Sequence, residues 1–458
     1  MTDLFAKVYG SMVTAWSLRG QERVPYLPRE EVWALRDRRL AELVRYAATT
    51  VPYYRELFSR LRIDPADIQT AADLDQLPLL DKHMVREDPE RFRSSSKKGR
   101  AAVRFPTSGT TGSPLIVYYD QHSLFCDAGF NRRERAPMRK LLSPEGVRRT
   151  LAIGQPGGTA PAIRRFLGQH RFRSSRSNRL WLSVADPVDK VIAAINDFKP
   201  DVLNSFGSYL EALFRMAAAG SIRFHLPRAV RYYADGMTDA GKRLIEQTFG
   251  VAVMSSYSAV EALKIGFTCE QRSGFHLHED LIHVKIVDGY GKRVGTGEKG
   301  EVVISNLTNH GTVLLNYRLG DVAALTDERC PCGRSLVLLS ELEGRVEDII
   351  YLADGRFVHP RLIGNVFKHR SGVLRYQLIQ HDLTTFELRL TTVDRGTFER
   401  MIDEILEELR GYLGASVSLE AVYQAEFRPF SGGKFRPVLS LLEDKGSSAA
   451  VQPSKPAT

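Results

Sequence analysis

Three observations predict an α/β protein with a large N-terminal domain and a small C-terminal one. Strand-like and helical runs alternate between about residues 189 and 255. That alternation breaks at residues 282–324 into short apolar runs separated by Gly-rich turns. A further stretch, 345–442, has the length of a small domain of its own. Strands alternating with helices of about ten residues or more imply a mostly parallel sheet flanked by helices. The short runs imply a small antiparallel subdomain, and the last stretch reads as α+β.

Along the chain, 1–100 reads as a helical N-terminal part of the large domain, with helices at 29–49 and 53–61. Residues 4–16 suit a weakly amphipathic helix, but its single lysine is poor support for membrane binding. The core of the large domain, 101–344, opens on two apolar runs around residue 110. Helix 189–197, strand 201–204 and helix 209–219 follow. Strand 229–233, helix 239–249 and strand 251–255 complete the alternation. The runs 283–287 and 301–305 belong to the antiparallel part. In the small domain, strands 376–380 and 385–390 precede a helix at 397–413. Residues 443–458, rich in Ser, Ala and Pro, read as a disordered tail. No internal repeat is present.

Composition narrows the function. With 458 residues, 43% hydrophobic and 26% charged, the chain has room for two or three domains and a large core. No apolar run has membrane-spanning length and no start resembles a secretory signal, so a cytoplasmic location is expected. Four cysteines, three of them between Cys269 and Cys332, argue against a disulfide scaffold. The net charge of +10 comes from arginines spread along the chain, densest at Arg164, Arg165, Arg171, Arg173 and Arg176. No basic helix interleaved with aromatics emerges, so nucleic acid is not an expected partner. The charge suits a solvated surface that steers an anionic substrate.

The chemistry concentrates in Thr107-Ser108-Gly109-Thr110-Thr111-Gly112. Two glycines let backbone N–H groups turn inward and four hydroxyls add donors, which is how a loop cradles phosphate oxygens without a charge. No Gly-Lys-Ser/Thr follows, so this is not a Walker loop. Four further segments come in order: Tyr257-Ser258-Ala259-Val260-Glu261, Asn316-Tyr317-Arg318-Leu319-Gly320-Asp321, Gly344-Arg345-Val346-Glu347-Asp348 and Ser431-Gly432-Gly433-Lys434. Each alone suits a cap, a turn or a solvated loop. In this order, with Val51-Pro52-Tyr53-Tyr54-Arg55 and Leu77-Pro78-Leu79-Leu80-Asp81-Lys82, they resemble the adenylate-forming superfamily, and most closely its phenylacetate–CoA ligase branch. The resemblance runs from about residue 50 to 440.

It implies the adenylate-forming architecture with a mobile small domain. It also implies ATP, magnesium (Mg2+) and a thiol acceptor, usually coenzyme A. The hexad would hold the ATP phosphates, Glu261 would help hold magnesium, and Tyr257 would lie against adenine. Asp321 would accept from the ribose hydroxyls and Asp235 falls by the adenine. Arg345 would stand next to the nucleotide beside a Glu347-Asp348 hinge. Lys434 would bridge the acyl carboxylate and the α-phosphate. A small carboxylic acid, aryl or other, would be the substrate, with 205–209 in the acyl pocket. A homodimer is compatible with the resemblance.

Cys269, His276, Cys330 and Cys332 form a second group. Three thiolates and an imidazole match a structural zinc (Zn2+) site, although Cys-x-Cys is tighter than the usual knuckle and ordinary reduced cysteines are the alternative. The resemblance adds to the zinc reading, because some members of the branch carry a similar pattern. His278 is a rival fourth ligand, and Cys126 is left over as a small buried apolar residue.

Leu115 stands where many adenylate-forming enzymes, though not this branch, have lysine, and further departures lie at Ser258-Ala259-Val260, Ala234-Asp235-Gly236, Leu319 and Ala353-Asp354-Gly355-Arg356. They point away from phenylacetate and towards the divergent branch associated with capsular polysaccharide or natural-product genes. The expected function is an ATP-dependent acid–CoA ligase. The alternatives are acyl transfer to an amine or hydroxyl, and a catalytically idle nucleotide-binding scaffold.

Overall fold

The computed structural model describes residues 2–107, 115–143, 147, 149–172, 178–343, 349–354, 356–367, 370, 372–425 and 437–442. They fall into two compact units that part between Glu343 and Ile349. Among the described residues no helix is long and apolar enough to cross a membrane.

The large unit begins with helices that belong to its core. Helix Arg29–Thr50 carries Glu30 and Glu31 in its first turn, where carboxylates suit the helix dipole, and buries Val32, Leu40, Leu43, Val44 and Ala47 along one face. Pro52 disfavours helical geometry at Val51 and itself occupies the first turn of the next helix, Pro52–Leu61. Tyr54 of that helix donates from Oη to the Val313 carbonyl (3.3 Å) and accepts from the Leu315 amide (2.9 Å). The helical opening is thereby sewn to a segment more than 250 residues away.

Strands β1 (Val103–Pro106) and β2 (Ile116–Tyr119) pair with each other as an antiparallel ribbon. The run that precedes the hexad is therefore paired with the run that follows it and is not a strand of the parallel sheet. Five parallel strands follow: β3 (Arg149–Gly154), β4 (Asn178–Ser183), β5 (Val202–Ser205), β6 (Ala229–Tyr233) and β7 (Ala252–Tyr257). Helices such as Val188–Phe198 and Gly207–Ala218 connect them. The segment expected as one helix at 239–249 is α-helical at Asp239–Arg243 and widens into a π turn, Leu244–Thr248, that buries Ile245.

After β7 the chain reverses. Strands β8 (Gly266–Thr268), β9 (Phe275–Leu277), β10 (Ile282–Val287), β11 (Gly300–Asn306), β12 (Tyr317–Thr326) and β13 (Leu338–Glu343) pair antiparallel. They do not close on themselves. They extend the same sheet, whose order is β10-β11-β12-β13-β9-β8-β7-β6-β5-β3-β4. The antiparallel part predicted for 282–324 is thus the second half of one eleven-stranded mixed sheet.

Asp280, in the turn between β9 and β10, is buried and faces two arginines. Arg133 of helix Gln121–Leu141 reaches it with both terminal nitrogens (2.5 and 2.8 Å), and Arg39 adds a third contact at 2.6 Å. Burial alone would raise its pKa, but Arg133 and Arg39 overcome that and hold the carboxyl well below the usual range.

In the small unit β14 (Ile350–Tyr351) and β15 (Phe357–Val358) make a hairpin, and β16 (Val373–Gln380), β17 (Thr385–Thr392), β18 (Ser418–Tyr423) and β19 (Val438–Ser440) form a sheet ordered β18-β17-β16-β19. Helix Arg395–Leu413, capped by the Asp394 carboxylate on the Thr397 amide (2.6 Å), buries Ile405, Leu409 and Leu413. The mixed α and β content matches the expected α+β character.

Replacing Asp280 with Asn leaves Arg133 buried without a counter-charge and should cost about 3–5 kcal/mol, read as a lower melting temperature. In the wild type this contribution is complete above about pH 4. It is lost as the pH falls through the depressed folded-state pKa, so the difference between the two proteins should shrink in acid.

Candidate active site at the reversal of the sheet

The turn that reverses the sheet, between β7 and β8, carries Tyr257 at its start and Glu261 within it. Leu263, at φ 46°, takes the left-handed conformation that the tight return requires. Strand β12 supplies Tyr317 and Asp321. Glu261 lies four residues past Tyr257, and Asp321 four past Tyr317, and the two pairs are cross-bonded. Tyr257 donates from Oη to Asp321 Oδ2 (2.9 Å), and Tyr317 donates to Glu261 Oε1 (3.3 Å).

Burial first, and the neighbouring carboxylate second, hold both phenols well above their ordinary range, so both remain donors at neutral pH. The Glu261 backbone is fixed as well. Its carbonyl accepts from Asn306 Nδ2 (3.0 Å), and the preceding carbonyl, of Val260, accepts from Tyr119 Oη (3.0 Å). Glu261 is 7% exposed, and among the described residues its carboxylate has only the long bond from Tyr317. A carboxylate so placed suits a cation with oxygen ligands. Asp321 is more open and suits a diol.

Asp235 follows β6. Its carboxylate accepts from the Gly207 amide and from the Ser208 amide (3.3 Å) and hydroxyl, capping helix Gly207–Ala218. Ala234 before it is held at φ 73°. The carboxylate thus holds together two segments the sequence singled out separately, Ala234-Asp235-Gly236 and 205–209. Thr107 is buried, and its amide donates to the Leu115 carbonyl (2.8 Å) where β1 and β2 meet. Ser108, Gly109, Thr110, Thr111, Gly112, Arg345, Glu347, Asp348 and Lys434 lie outside the described residues.

The cysteine group assembles on the antiparallel half. One ligand atom each from Cys269, His276, Cys330 and Cys332 lie within 4.8 Å of one another, all buried. Cys269 Sγ is 3.5 Å from Cys330 Sγ, and Cys332 Sγ is 3.4 Å from His276 Nε2. Burial, helped by Arg334, lowers the His276 pKa to about 4, and burial pushes the Cys269 thiol up to about 12. A neutral imidazole among crowded thiols suits a soft divalent cation that displaces the thiol protons. His278 is outside the group, with Nε2 3.4 Å from Glu134 Oε1.

The fold thus brings Tyr257, Glu261 and Asp321 to one place and the cysteine group to another. Tyr317, Tyr119 and Asn306 were not singled out from the sequence. Tyr317 stood inside a recognised motif, whereas nothing near Asn306 or Tyr119 marks them.

No family model matches the chain. It is 26% identical to the phenylacetate–coenzyme A ligase of Thermus thermophilus over 450 residues, covering 92% of this chain and 99% of that one. The enzyme of the same name from Escherichia coli is 25% identical, with 76% and 79% covered. Among solved structures, a 2-hydroxyisobutyryl-CoA ligase with 2-HIB-AMP and CoA in its thioesterification state superposes with a TM-score of 0.62 at 18% identity, covering 92% of this chain and 91% of that one. The same ligase with R3-HIB-AMP in the postadenylation state gives 0.59 at 16%, with 92% and 91% covered. These structures share the fold of adenylate-forming ligases. Along nearly its entire length the chain is thus similar to curated phenylacetate–coenzyme A ligases, and it shares the fold of the solved acid–CoA ligases.

Proposed function

We propose that this chain is an ATP-dependent acid–CoA ligase. An oxygen of the acid's carboxylate attacks the α-phosphorus of ATP. The bond from that phosphorus to the bridging oxygen breaks, and pyrophosphate leaves. The sulfur of coenzyme A then attacks the acyl carbon, forming a thioester and releasing AMP. The observation that carries this reading is the cross-bonded pair of Tyr257–Asp321 and Tyr317–Glu261 at the reversal of the sheet.

In this reading Asp321 accepts from the ribose hydroxyls and Tyr257 stacks on adenine. Tyr257 also orients Asp321, so its ring and its hydroxyl have separate jobs. The segment Thr107–Gly112 and Arg345 contact the phosphates, and Asp235 shapes the adenine side through its backbone. Lys434 of the small domain, whose boundary we place at 344/345, approaches the reacting carboxylate and α-phosphate. Its point charge is most useful where oxyanions crowd. Glu261 would be a ligand of Mg2+, which when bound neutralises phosphate charge. The small domain turns about Glu347-Asp348 between the two half-reactions. The enzyme works in the cytoplasm, and its divergent loops direct it to an acid other than phenylacetate. Zinc held by Cys269, His276, Cys330 and Cys332 has a structural role, tying β8 and β9 to the loop before β13, since four protein ligands leave no open position.

Pyrophosphate release is to be followed over a panel of aryl, aliphatic and sugar acids, with and without coenzyme A. Release with one acid should fall by about 100-fold or more in Lys434→Ala. Unchanged release in that variant would refute the role given to the lysine. Asp321→Asn should raise the KM for ATP by about tenfold while keeping the fold, as judged by melting temperature. Elemental analysis should find about one zinc per chain. Cys330→Ser should lose the metal and melt at a lower temperature, and a metal-free wild type of unchanged stability would remove zinc from the reading.

A further inference from the structure

The parallel half of the sheet carries a group of arginines that adenylation leaves unused. Register sets Trp181, Ala152, Asn204 and Arg231 in one row across β4, β3, β5 and β6. Residues in one such row share a face, and so does Arg179, two residues before Trp181. Helix Gln121–Leu141 covers that face, with Met138 packed against Val202 and Ala229, and it brings Glu134 and Arg135. From helix Thr159–His170, Arg164 lays its guanidinium over the Trp181 ring, 5.2 Å from the centroid, and Arg171 follows that helix. A cavity of about 540 Å³ lies at the ends of these elements, bounded by Pro156, Gly157, Pro161, Arg164, Arg165 and Trp181.

The charges in this region do not balance. Among the described residues Glu134 is the carboxylate in ion-pair reach of the group, 3.6 Å from Arg231. It is also 3.4 Å from His278 and accepts from Ser256 Oγ at 3.2 Å. Among the described residues the buried Nε atoms of Arg231 and Arg171 and the buried Oδ1 of Asn204 have no hydrogen-bond partner. Arg135, Arg164 and Arg179 keep access to solvent, whereas Arg171 and Arg231 are half-buried. A guanidinium does not shed its proton at neutral pH, so the half-buried Arg231 and Arg171, crowded by the more open arginines, suit an external anion.

We propose that the arginine group around Arg179, Arg231 and Arg164 is a binding site for a small oxyanionic molecule carrying two negative charges. Guanidiniums meet phosphate and carboxylate oxygens with paired hydrogen bonds, and the Trp181 edge of the cavity gives the rest of the molecule an apolar wall. If the adenylation reading holds, on which this clause rests, two sources share that chemistry. One is an acid substrate with a second anionic group. The other is the phosphate of a coenzyme-like acceptor.

The test is calorimetric titration of the full chain at fixed ionic strength with succinate, inorganic phosphate and adenosine 3′,5′-bisphosphate, and with acetate as the singly charged control. At least one dianion should bind more tightly than acetate, and Arg179→Gln and Arg164→Gln should each weaken it by about tenfold or more. Preference for succinate identifies the acid as the source; preference for the bisphosphate identifies the acceptor. No binding by any dianion, or equal binding by the variants, overturns the proposal. A second readout guards against a misfolded variant. Without added anion Arg179→Gln should melt higher than wild type, because it removes uncompensated positive charge. A lower melting temperature means the arginines are already satisfied within the fold, and also overturns the site. Neither readout needs turnover, so failure here is separable from failure of pyrophosphate release.

Discussion

The reversal of strand direction at β7 is the constraint on which the rest of the large unit depends. A parallel strand must hand the chain to a crossover, whereas an antiparallel neighbour is reached by a short turn. Between Tyr257 and Gly266 the sheet changes from the first regime to the second. The short turn leaves little freedom for Glu261, which is pinned through its backbone by Asn306 and through its carboxylate by Tyr317. Because β12 lies in the antiparallel half, Asp321 can be tied back to the last parallel strand by one phenol. Two carboxylates are thus fixed by neutral donors, which hold position while leaving negative charge available.

The two halves of the sheet divide the chemistry. The antiparallel half places the cysteine group, drawing Cys269 from the end of β8, His276 from β9 and Cys330 and Cys332 from the loop before β13. The parallel half places Asp235, whose carboxylate is consumed in capping helix Gly207–Ala218. That cap fixes the start of the helix against the loop after β6 and joins regions expected to serve acyl group and adenine. A carboxylate accepting from two amides and a hydroxyl is a structural acceptor, and the adenine side is left to backbone groups.

Much of this was legible in the sequence, for identifiable reasons. Helices 29–49, 189–197 and 397–413 have apolar faces with clear stops, and the structure places their ends within a few residues of those positions. Tyr257, Glu261 and Asp321 were visible because their motifs come in a fixed order. Strands β3 and β4 were not, since Arg149, Asn178 and Arg179 interrupt the apolar pattern. Helix Gln121–Leu141 contains Pro137 and buries Arg133 and Glu134, so its face does not read as apolar. Nor does local sequence reveal that the antiparallel strands join the parallel sheet, because the joint is made by pairing between distant segments.

The buried contact of Asp280 with Arg39 and Arg133 also sets a schedule. Arg39 leaves the ribosome 241 residues ahead of its partner. At synthesis rates of roughly 5–20 residues per second, its helix waits roughly 12–50 s for the carboxylate that completes it. During that interval the apolar face bearing Leu40, Leu43 and Val44 has no finished sheet to cover it. That face is thus uncovered at birth for longer than one whose partners are made soon after it, although in the finished protein Leu40, Val44 and Ala47 are fully buried.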